Sequence, residues 1–180
     1  MKYYQYQCDS DFYRFLSLSK KHRYKDLYIL NGNPLPPDWG PIEVIVEKKK
    51  PLGNFLYFDT YIPVVDKVAL NILLPLIKNF VEVKEVKHNN PKIGQLYLIH
   101  VLNIVDCLDY EKSDIDYYDD GSIMGVWKYK LKKSKVGKYP IFRIKDLLLN
   151  DVFISEEVKN AIESSGLKGL NLEEVELSDD

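Results

Sequence analysis

The fold is decided by one apolar stretch near the middle of the sequence, Tyr97-Leu98-Ile99-His100-Val101-Leu102-Asn103-Ile104-Val105-Asp106-Cys107. A strand places alternate side chains on opposite faces, and in this stretch both alternating sets are apolar. One set contains Tyr97, Ile99, Val101 and Val105, and the other contains Leu98, Leu102 and Ile104. The pattern therefore predicts a strand that is covered on both faces.

The residues before this strand predict an amphipathic helix and a half-exposed strand. Asp66 can accept hydrogen bonds from the first backbone amides of a helix. Apolar residues recur around it at three- and four-residue spacing: Val65, Val68, Ala69, Ile72, Leu73 and Leu76. Because Pro75 cannot donate the hydrogen bond that a helix interior requires, we expect the helix to end or bend near Leu74. Residues 81–86 alternate between apolar and charged side chains, which is typical of a strand with one solvent-exposed face.

Further strand patterns lie on both sides of this central part, at residues 42–46, 55–58, 123–131, 140–144 and 152–154. A lysine-rich loop, residues 48–53, separates the first two. In the third, the alternation predicts that Trp127, Tyr129 and Leu131 enter the core while the intervening lysines meet water. Aromatic and basic side chains would then lie on opposite faces, which disfavours a surface that binds single-stranded nucleic acid.

A last helix is predicted after residue 154. Ser155 can cap its first turn, Glu156 and Glu157 complement the helix dipole, and Gly166 can adopt the left-handed conformation that ends a helix. Its buried stripe would be Val158, Ala161 and Ile162. Together the elements predict the α+β fold class, as a single domain in which a mixed, mostly antiparallel sheet is packed by two or more helices.

The region up to about Gly40 differs from the rest of the chain in its pattern of apolar residues and turn formers. Its apolar spacing predicts a short helix containing Phe12, Phe15, Leu16 and Leu18. Residues 31–38 are dense in turn formers and cannot continue a helix. We therefore predict two parts: residues 1–40, an irregular or helical N-terminal segment packed on the domain, and residues 41–180, the α+β domain.

Composition and charge exclude several classes of protein. The chain has 180 residues, of which 46% are hydrophobic, so it can bury enough apolar surface to fold. Its formal charge is −2, so no excess of positive charge exists to neutralise phosphates, and we predict no nucleic-acid partner.

The longest uncharged apolar run, residues 68–77, is roughly half of a membrane span, and the start lacks the apolar stretch of a signal peptide. We expect a cytoplasmic protein without a membrane partner.

The sequence contains no recognisable catalytic or metal-binding motif. Cys8 and Cys107 are far apart and lie in no zinc-ligand spacing, so we predict free thiols. The three histidines share no metal-ligand spacing, and the GxSxG, GxxxxGK[ST] and GxGxxG motifs are absent. In a continuous strand His100 and Asp106 would be about 20 Å apart, too far for an acid/base pair. His100 is then either a structural histidine or a site residue. We predict no metal and no cofactor.

An acidic segment with interleaved tyrosines follows the central strand. Clustered carboxylates attract a basic partner, and tyrosine supplies large contact area at low rotamer cost. The pattern favours a protein-docking surface formed by Asp109, Tyr110, Glu111, Asp114, Asp116, Tyr117, Tyr118, Asp119 and Asp120. The alternative is a solvated strand and loop whose charges balance the neighbouring lysine-rich strand. The spacing of an EF-hand calcium loop is missing.

Five motifs occur in order along the later two thirds of the chain: residues 63–69 (PVVDKVA), residues 101–109 (VLNIVDCLD) with Ser113, residues 141–143 (IFR), residues 154–159 (ISEEVK) and residues 165–170 (SGLKGL). This ordered set resembles a bacterial family first catalogued as a domain of unknown function and now predicted to contain immunity proteins of polymorphic toxin systems. The resemblance extends from about Leu35 to the end. Asp66 stands where the family often has Ser, which preserves helix capping.

The resemblance implies a cytoplasmic inhibitor without catalytic activity. Such a protein binds the toxin domain secreted by kin or competing cells and blocks its active site. Toxins of such systems are often basic nucleases, which is consistent with an acidic docking surface. Two other functions stay open: an enzyme of unrecognised class that uses carboxylates between Asp106 and Asp116, and a regulatory interaction domain without a toxin partner. A deep pocket with paired carboxylates of raised pKa would favour the enzyme.

Overall fold

The computed structural model describes residues 1–47, 49–58, 62–147 and 151–179. Within these residues the strands are β1 (Tyr3–Cys8), β2 (Phe15–Leu18), β3 (Glu43–Val46), β4 (Phe55–Phe58), β5 (Val64–Asp66), β6 (Val81–His88), β7 (Leu96–Val101), β8 (Ile104–Val105), β9 (Asp114–Tyr117), β10 (Ile123–Lys128), β11 (Lys130–Lys132), β12 (Ile141–Ile144), β13 (Val152–Ser155) and β14 (Leu170–Ser178). The helices are α1 (Lys67–Ile77), α2 (Lys133–Val136) and α3 (Glu156–Ser164), with short 3-10 helices at Tyr24–Leu27 and Lys78–Phe80.

Six of the strands close into a barrel in the order β2-β3-β6-β7-β5-β4. The pairs β2–β4 and β3–β6 are parallel, and the other neighbours are antiparallel. Closure removes the sheet edges on which an open sheet could pair with other chains. Branched and aromatic side chains that are almost fully buried pack together in the barrel's core: Leu16, Val44, Val46, Leu56, Phe58, Val64 and Leu98.

Six further strands form an open sheet in the order β11-β14-β1-β13-β12-β8. Its two faces belong to different cores. Tyr4 and Tyr6 of β1 join the core that contains the buried faces of α1 and α3. Tyr3 points to the other face, where its ring meets Phe142 edge-on at a centroid distance of 5.4 Å and joins a third core with Phe153. The remaining strands, β9 and β10, form a separate hairpin.

The N-terminal region departs from the predicted secondary structure. The short helix across Phe12 to Leu18 is wrong, because Phe15–Leu18 are β2 of the barrel and pair with β3 and β4. Tyr3–Cys8 are not irregular either: β1 lies in the open sheet between β13 and β14. The apolar spacing of these short segments fits a strand as well as a helix turn. Pairing partners far along the chain decide between the two.

The predicted helix after Asp66 is confirmed, with two differences. Asp66 caps α1, because its Oδ1 accepts from the amide of Ala69 at 2.8 Å. The helix does not end at Leu74 but continues through Pro75 to Ile77. Pro75 leaves the carbonyl of Asn71 without its helical donor, and both residues are exposed, so water can satisfy that carbonyl. The buried face is also turned from the predicted one, with Ala69, Leu70, Leu73 and Ile77 buried and Val68 exposed.

The C-terminal predictions are confirmed except for Ala161, which was predicted to be buried and is only partly buried. The Ser155 side chain accepts from the amide of Val158 at 3.5 Å and so caps α3. Val158 and Ile162 are buried as predicted, and Gly166 has a φ of +67° after the end of the helix. The strands at residues 42–46, 55–58, 81–86, 140–144 and 152–154 are all present, with ends that shift by one or two residues.

The central stretch forms two strands rather than one. β7 ends at Val101 and β8 begins at Ile104, so the chain passes from the barrel to the open sheet through Leu102 and Asn103. The amide of Leu102 donates to the carbonyl of Phe80, and the Asn103 side chain donates to the carbonyl of Ile141. The predicted α+β class is therefore right in its helices and mixed sheet, while the closed barrel was not expected. No helix in the described ranges has the length and apolar character needed to cross a membrane.

Candidate functional site

The acidic segment forms a two-stranded hairpin at the surface, which we call the acidic hairpin (residues 114–128). β9 and β10 pair antiparallel, with Ile115 opposite Val126 and Tyr117 opposite Ile123. Ile115, Ile123 and Val126 are partly buried against the core on the outer face of the open sheet, whereas Tyr117 is exposed. At its base a bridge between Leu108 and Leu131 ties the hairpin to the sheet. One face of the hairpin is thus held by the core, and the other faces solvent.

The loop at the tip of the hairpin has a defined conformation. The amide of Tyr118 donates to the carbonyl of Ser122 at 2.8 Å, and Gly121 occupies the positive-φ position with φ +81°. Asp120 Oδ1 accepts from both the amide and the hydroxyl of Ser122, at 2.9 and 2.6 Å. These bonds hold the pKa of Asp120 below its ordinary value, so its charge is stabilised within the turn. The acidic tip is therefore ordered before any partner binds.

Most of the predicted carboxylates are exposed and have no basic partner within the described ranges. Those on or beside the acidic hairpin without an ion pair are Glu111, Asp114, Asp116, Asp119 and Asp120. The neighbouring lysines do not balance them. Lys128 and Lys130 both bind Glu176 of β14, with Nζ to oxygen distances of 2.5 and 3.0 Å. These two lysines therefore pair with β14 and form no ion pair with the hairpin carboxylates, although Lys128 lies opposite Asp114 in the hairpin register.

Aromatic and apolar side chains are exposed beside these carboxylates. The exposed fractions are 49% for Tyr117, 54% for Tyr118, 53% for Met124 and 77% for Trp127. The indole Nε1 of Trp127 donates to Asp116 Oδ2 at 2.7 Å, so the ring is held against β9. Tryptophan and tyrosine are enriched among the residues that dominate binding at protein-protein interfaces, whereas uncompensated carboxylates are more typical of the interface rim.

The exposure of Trp127 corrects the prediction that it enters the core with Tyr129 and Leu131. Those two residues are buried, at 7% and 0% exposure. The alternation breaks between them and Trp127, because β10 ends at Lys128 and β11 begins at Lys130. A strand that stops and restarts no longer keeps one set of side chains on one face. Trp127 and Met124 are thus surface residues that the sequence analysis missed.

Two of the predicted site residues take a different position from the others. Asp109 is only 4% exposed and accepts from the amides of Glu111 and Lys112 at 3.3 and 3.2 Å. The Ser178 hydroxyl and Lys112 hold its pKa below the ordinary value. Tyr110 is 38% exposed and donates to Asp146 Oδ2, and desolvation together with that carboxylate raises its pKa to about 12. Asp109 is therefore buried in the turn before the hairpin and shapes that turn.

The structure gives little support to a catalytic centre among these carboxylates. Asp106 pairs with Lys145 at 3.5 Å, and the lowered pKa of Asp109 is opposite to the raised pKa that a general acid needs. No cluster of three or more His, Cys, Asp or Glu in the described part of the chain is arranged to hold a metal ion. Cys8 and Cys107 are free thiols, as predicted, and burial raises the pKa of each to about 12.

His100 has a structural environment. It is 1% exposed, and its Nε2 donates to the carbonyl of Asn33 at 2.8 Å, which ties β7 to the turn-rich segment before β3. Burial lowers its pKa, so the imidazole is neutral at physiological pH. The other histidines also bind backbone: His22 Nε2 accepts from the amide of Glu43, and His88 Nε2 lies 3.0 Å from the carbonyl of Gly94.

Comparison with known families finds a match over more than half of the chain. The model of an immunity protein family, Imm11, matches residues 75–177, from the last turn of α1 to near the end of β14. The matched part contains the whole acidic hairpin and the motifs at residues 101–109, 141–143, 154–159 and 165–170, while the motif at residues 63–69 lies before it. No curated protein matches the chain.

Proposed function

The chain belongs to the Imm11 immunity protein family, and from that premise we propose that it is a cytoplasmic immunity protein that binds and neutralises a cognate secreted toxin domain without catalysing a reaction. The binding surface in this proposal is the acidic hairpin together with Tyr110 and Glu111. The partner is a basic toxin domain. The complex holds the toxin inactive by covering its surface.

One observation supports this surface above all others: exposed carboxylates without ion pairs surround exposed aromatic side chains on a preformed hairpin. Like charges held close together repel one another, and this repulsion is relieved when a positively charged partner binds. Burying the exposed side chains lowers the free energy only when another surface covers them, and these side chains are Tyr117, Tyr118 and Trp127. The hairpin therefore combines long-range attraction of a basic partner with contact area for a stable complex.

The proposal is tested by reversing charge on the hairpin. A triple variant with Asp114→Lys, Asp116→Lys and Asp119→Lys reverses three exposed charges and also removes the acceptor of the Trp127 indole N–H. We expect it to slow association with the cognate toxin domain by about 10-fold or more at low salt, because electrostatic steering acts mainly on the association rate. We also expect it to lower the survival of cells that express both proteins.

A matched control separates this effect from net charge. The triple variant Asp11→Lys, Asp38→Lys and Glu85→Lys makes the same charge change at exposed residues outside the hairpin. It should keep most of the wild-type association rate. Equal slowing in both variants would mean that only the total charge matters. If the hairpin variant keeps the wild-type rate and its salt dependence, the toxin binds elsewhere on the chain.

A further inference from the structure

A groove runs between the end of the acidic hairpin and the adjacent strand β14. It has a volume of about 220 Å³ and is lined by Gln5, Trp127, Lys128, Tyr129 and residues 173–176. Its lining includes the exposed indole of Trp127, Lys128 and three glutamates of β14. We call it the Trp127 groove. It offers an aromatic surface and carboxylates within one recess.

The charges in the Trp127 groove are not fully paired. Glu176 binds Lys128 and Lys130, and Glu174 binds Lys2 at 2.9 Å. Glu173, opposite Gln5 in the pairing of β1 with β14, is exposed and forms no ion pair with any residue that the structure describes. The groove therefore retains one carboxylate that forms no ion pair in the described chain, with the charge of Lys128, which also lines the groove, acting on it from a greater distance.

The indole of Trp127 is positioned to bind a cation. Its N–H is already bonded to Asp116, which fixes the ring relative to the hairpin while leaving it 77% exposed. The electron-rich face of an indole attracts a cation, and tryptophan is the best of the aromatic side chains for this contact. Because the ring is held in the free protein, binding does not have to immobilise it.

We propose that the Trp127 groove binds one arginine side chain of the toxin domain, with the guanidinium stacked on Trp127 and paired with Glu173. This inference rests on the proposed function and adds the chemistry of one contact. Arginine fits better than lysine, since a planar guanidinium stacks on an aromatic face and also donates to a carboxylate. The volume of the groove suits a single side chain rather than a helix or a strand.

The test measures the dissociation constant of the toxin complex for three exposed substitutions. Trp127→Ala should weaken binding by about 10-fold or more, which is the size of effect expected at an interfacial tryptophan. Trp127→Phe keeps an aromatic face and should weaken it less. Glu173→Gln should weaken binding by about 5-fold or more, and adding it to Trp127→Ala should cost less than its effect alone, because both contacts hold one guanidinium.

Matched controls use an aromatic and a glutamate outside the groove. Tyr28→Ala removes a side chain that is 61% exposed, and Glu85→Gln removes an exposed carboxylate of the barrel. Both should keep wild-type affinity. If toxin binding is intact while Trp127→Ala and Glu173→Gln bind as tightly as the wild type, the groove inference is overturned and the proposed function stands.

A second readout does not need the toxin. In a Trp39→Phe background Trp127 is the only tryptophan, so its fluorescence reports on the groove alone. Hexa-arginine should change this fluorescence at about 5-fold lower concentration than hexalysine, and Glu173→Gln should remove the difference. If the wild-type chain does not bind the toxin domain, the proposed function is overturned, and this titration alone decides whether the groove selects a guanidinium. Equal responses to both peptides would overturn that selectivity.

Discussion

The closed barrel and the acidic hairpin use large aromatic side chains in opposite ways. In the barrel, Phe58 is 1% exposed and every strand has two neighbours. In the hairpin, Trp127 is 77% exposed and β9 and β10 pair only with each other among the described residues. Burial of the barrel side chains stabilises the folded chain, whereas burial of the exposed hairpin side chains would stabilise only a complex with another surface. In the proposed function, stability and recognition are therefore carried by different parts of the molecule.

Deleting one aromatic side chain from each region gives the strongest test of this comparison. Phe58→Ala should lower the free energy of unfolding by about 3 to 5 kcal/mol, because it removes buried contacts and leaves a cavity. Trp127→Ala should change it by less than about 0.5 kcal/mol, because little of the ring is buried. Urea unfolding of both variants against the wild type measures the difference. If Trp127→Ala cost more than about 1.5 kcal/mol, the indole would belong to the folded core and the comparison would fail.

The two regions also differ in what the sequence could predict. In the barrel and open sheet, the strands with strong apolar patterns were predicted, as was helix α1 with its Asp66 cap. β1 and β2 were missed, because their residues become strands only through partners far away in the chain. Closure of the barrel depends on the parallel pairs β2–β4 and β3–β6, for which no local pattern exists. Non-local pairing of this kind is set by the whole fold.

In the hairpin, the charges were predicted and the aromatic surface only in part. Carboxylates tend to be exposed whatever the fold, so the acidic segment could be identified from composition. Asp109 is the exception, since it binds the amides two and three residues later, as an aspartate at the start of a turn often does. Trp127 was assigned to the wrong face because the interruption of the strand at Tyr129 cannot be seen in the alternation.

The segment between α3 and β14, which passes close to β4 of the barrel, provides a prediction of intermediate size. Gly169 has a φ of +105°, and a Cβ on it would lie 2.5 Å from the carbonyl oxygen of Phe55 in β4. Gly166 also has a positive φ, but a Cβ there meets no atom within 4 Å. Gly169→Ala should therefore lower the free energy of unfolding by about 2 to 3 kcal/mol, from backbone strain plus steric overlap. Gly166→Ala should cost about 1 kcal/mol, from strain alone.

Chemical denaturation of the two glycine variants measures this difference directly. Both substitutions add one methyl group to the segment between α3 and β14, so each controls for the other. A larger effect at Gly166 than at Gly169 would contradict the close approach of this segment to β4. Neither substitution touches the acidic hairpin, so affinity for the toxin domain should stay at the wild-type level wherever the protein remains folded.

The smallest predicted effect is a pH dependence that comes from the barrel and not from the hairpin. His100 faces Glu82 across β6 and β7, with the charges of Lys84 and of Arg143 in β12 nearby. Burial lowers its pKa in the folded state, so below about pH 6.5 the unfolded chain binds the proton more readily. Stability should therefore fall as pH drops below that value, by less than about 1.4 kcal/mol per pH unit for one proton. Unfolding midpoints between pH 7 and pH 5.5 measure this slope.

The substitution His100→Gln tests whether His100 causes this pH dependence of stability. It keeps a side-chain donor for the carbonyl of Asn33 and removes the titrating ring. Its unfolding free energy should depend less on pH than that of the wild type, whatever its absolute stability. Trp127→Ala changes no titrating group and should keep the full wild-type slope. An unchanged slope in His100→Gln would place the acid sensitivity outside the barrel. A reduced slope would mean that acid destabilises the fold through His100 in the barrel rather than through the carboxylates of the hairpin.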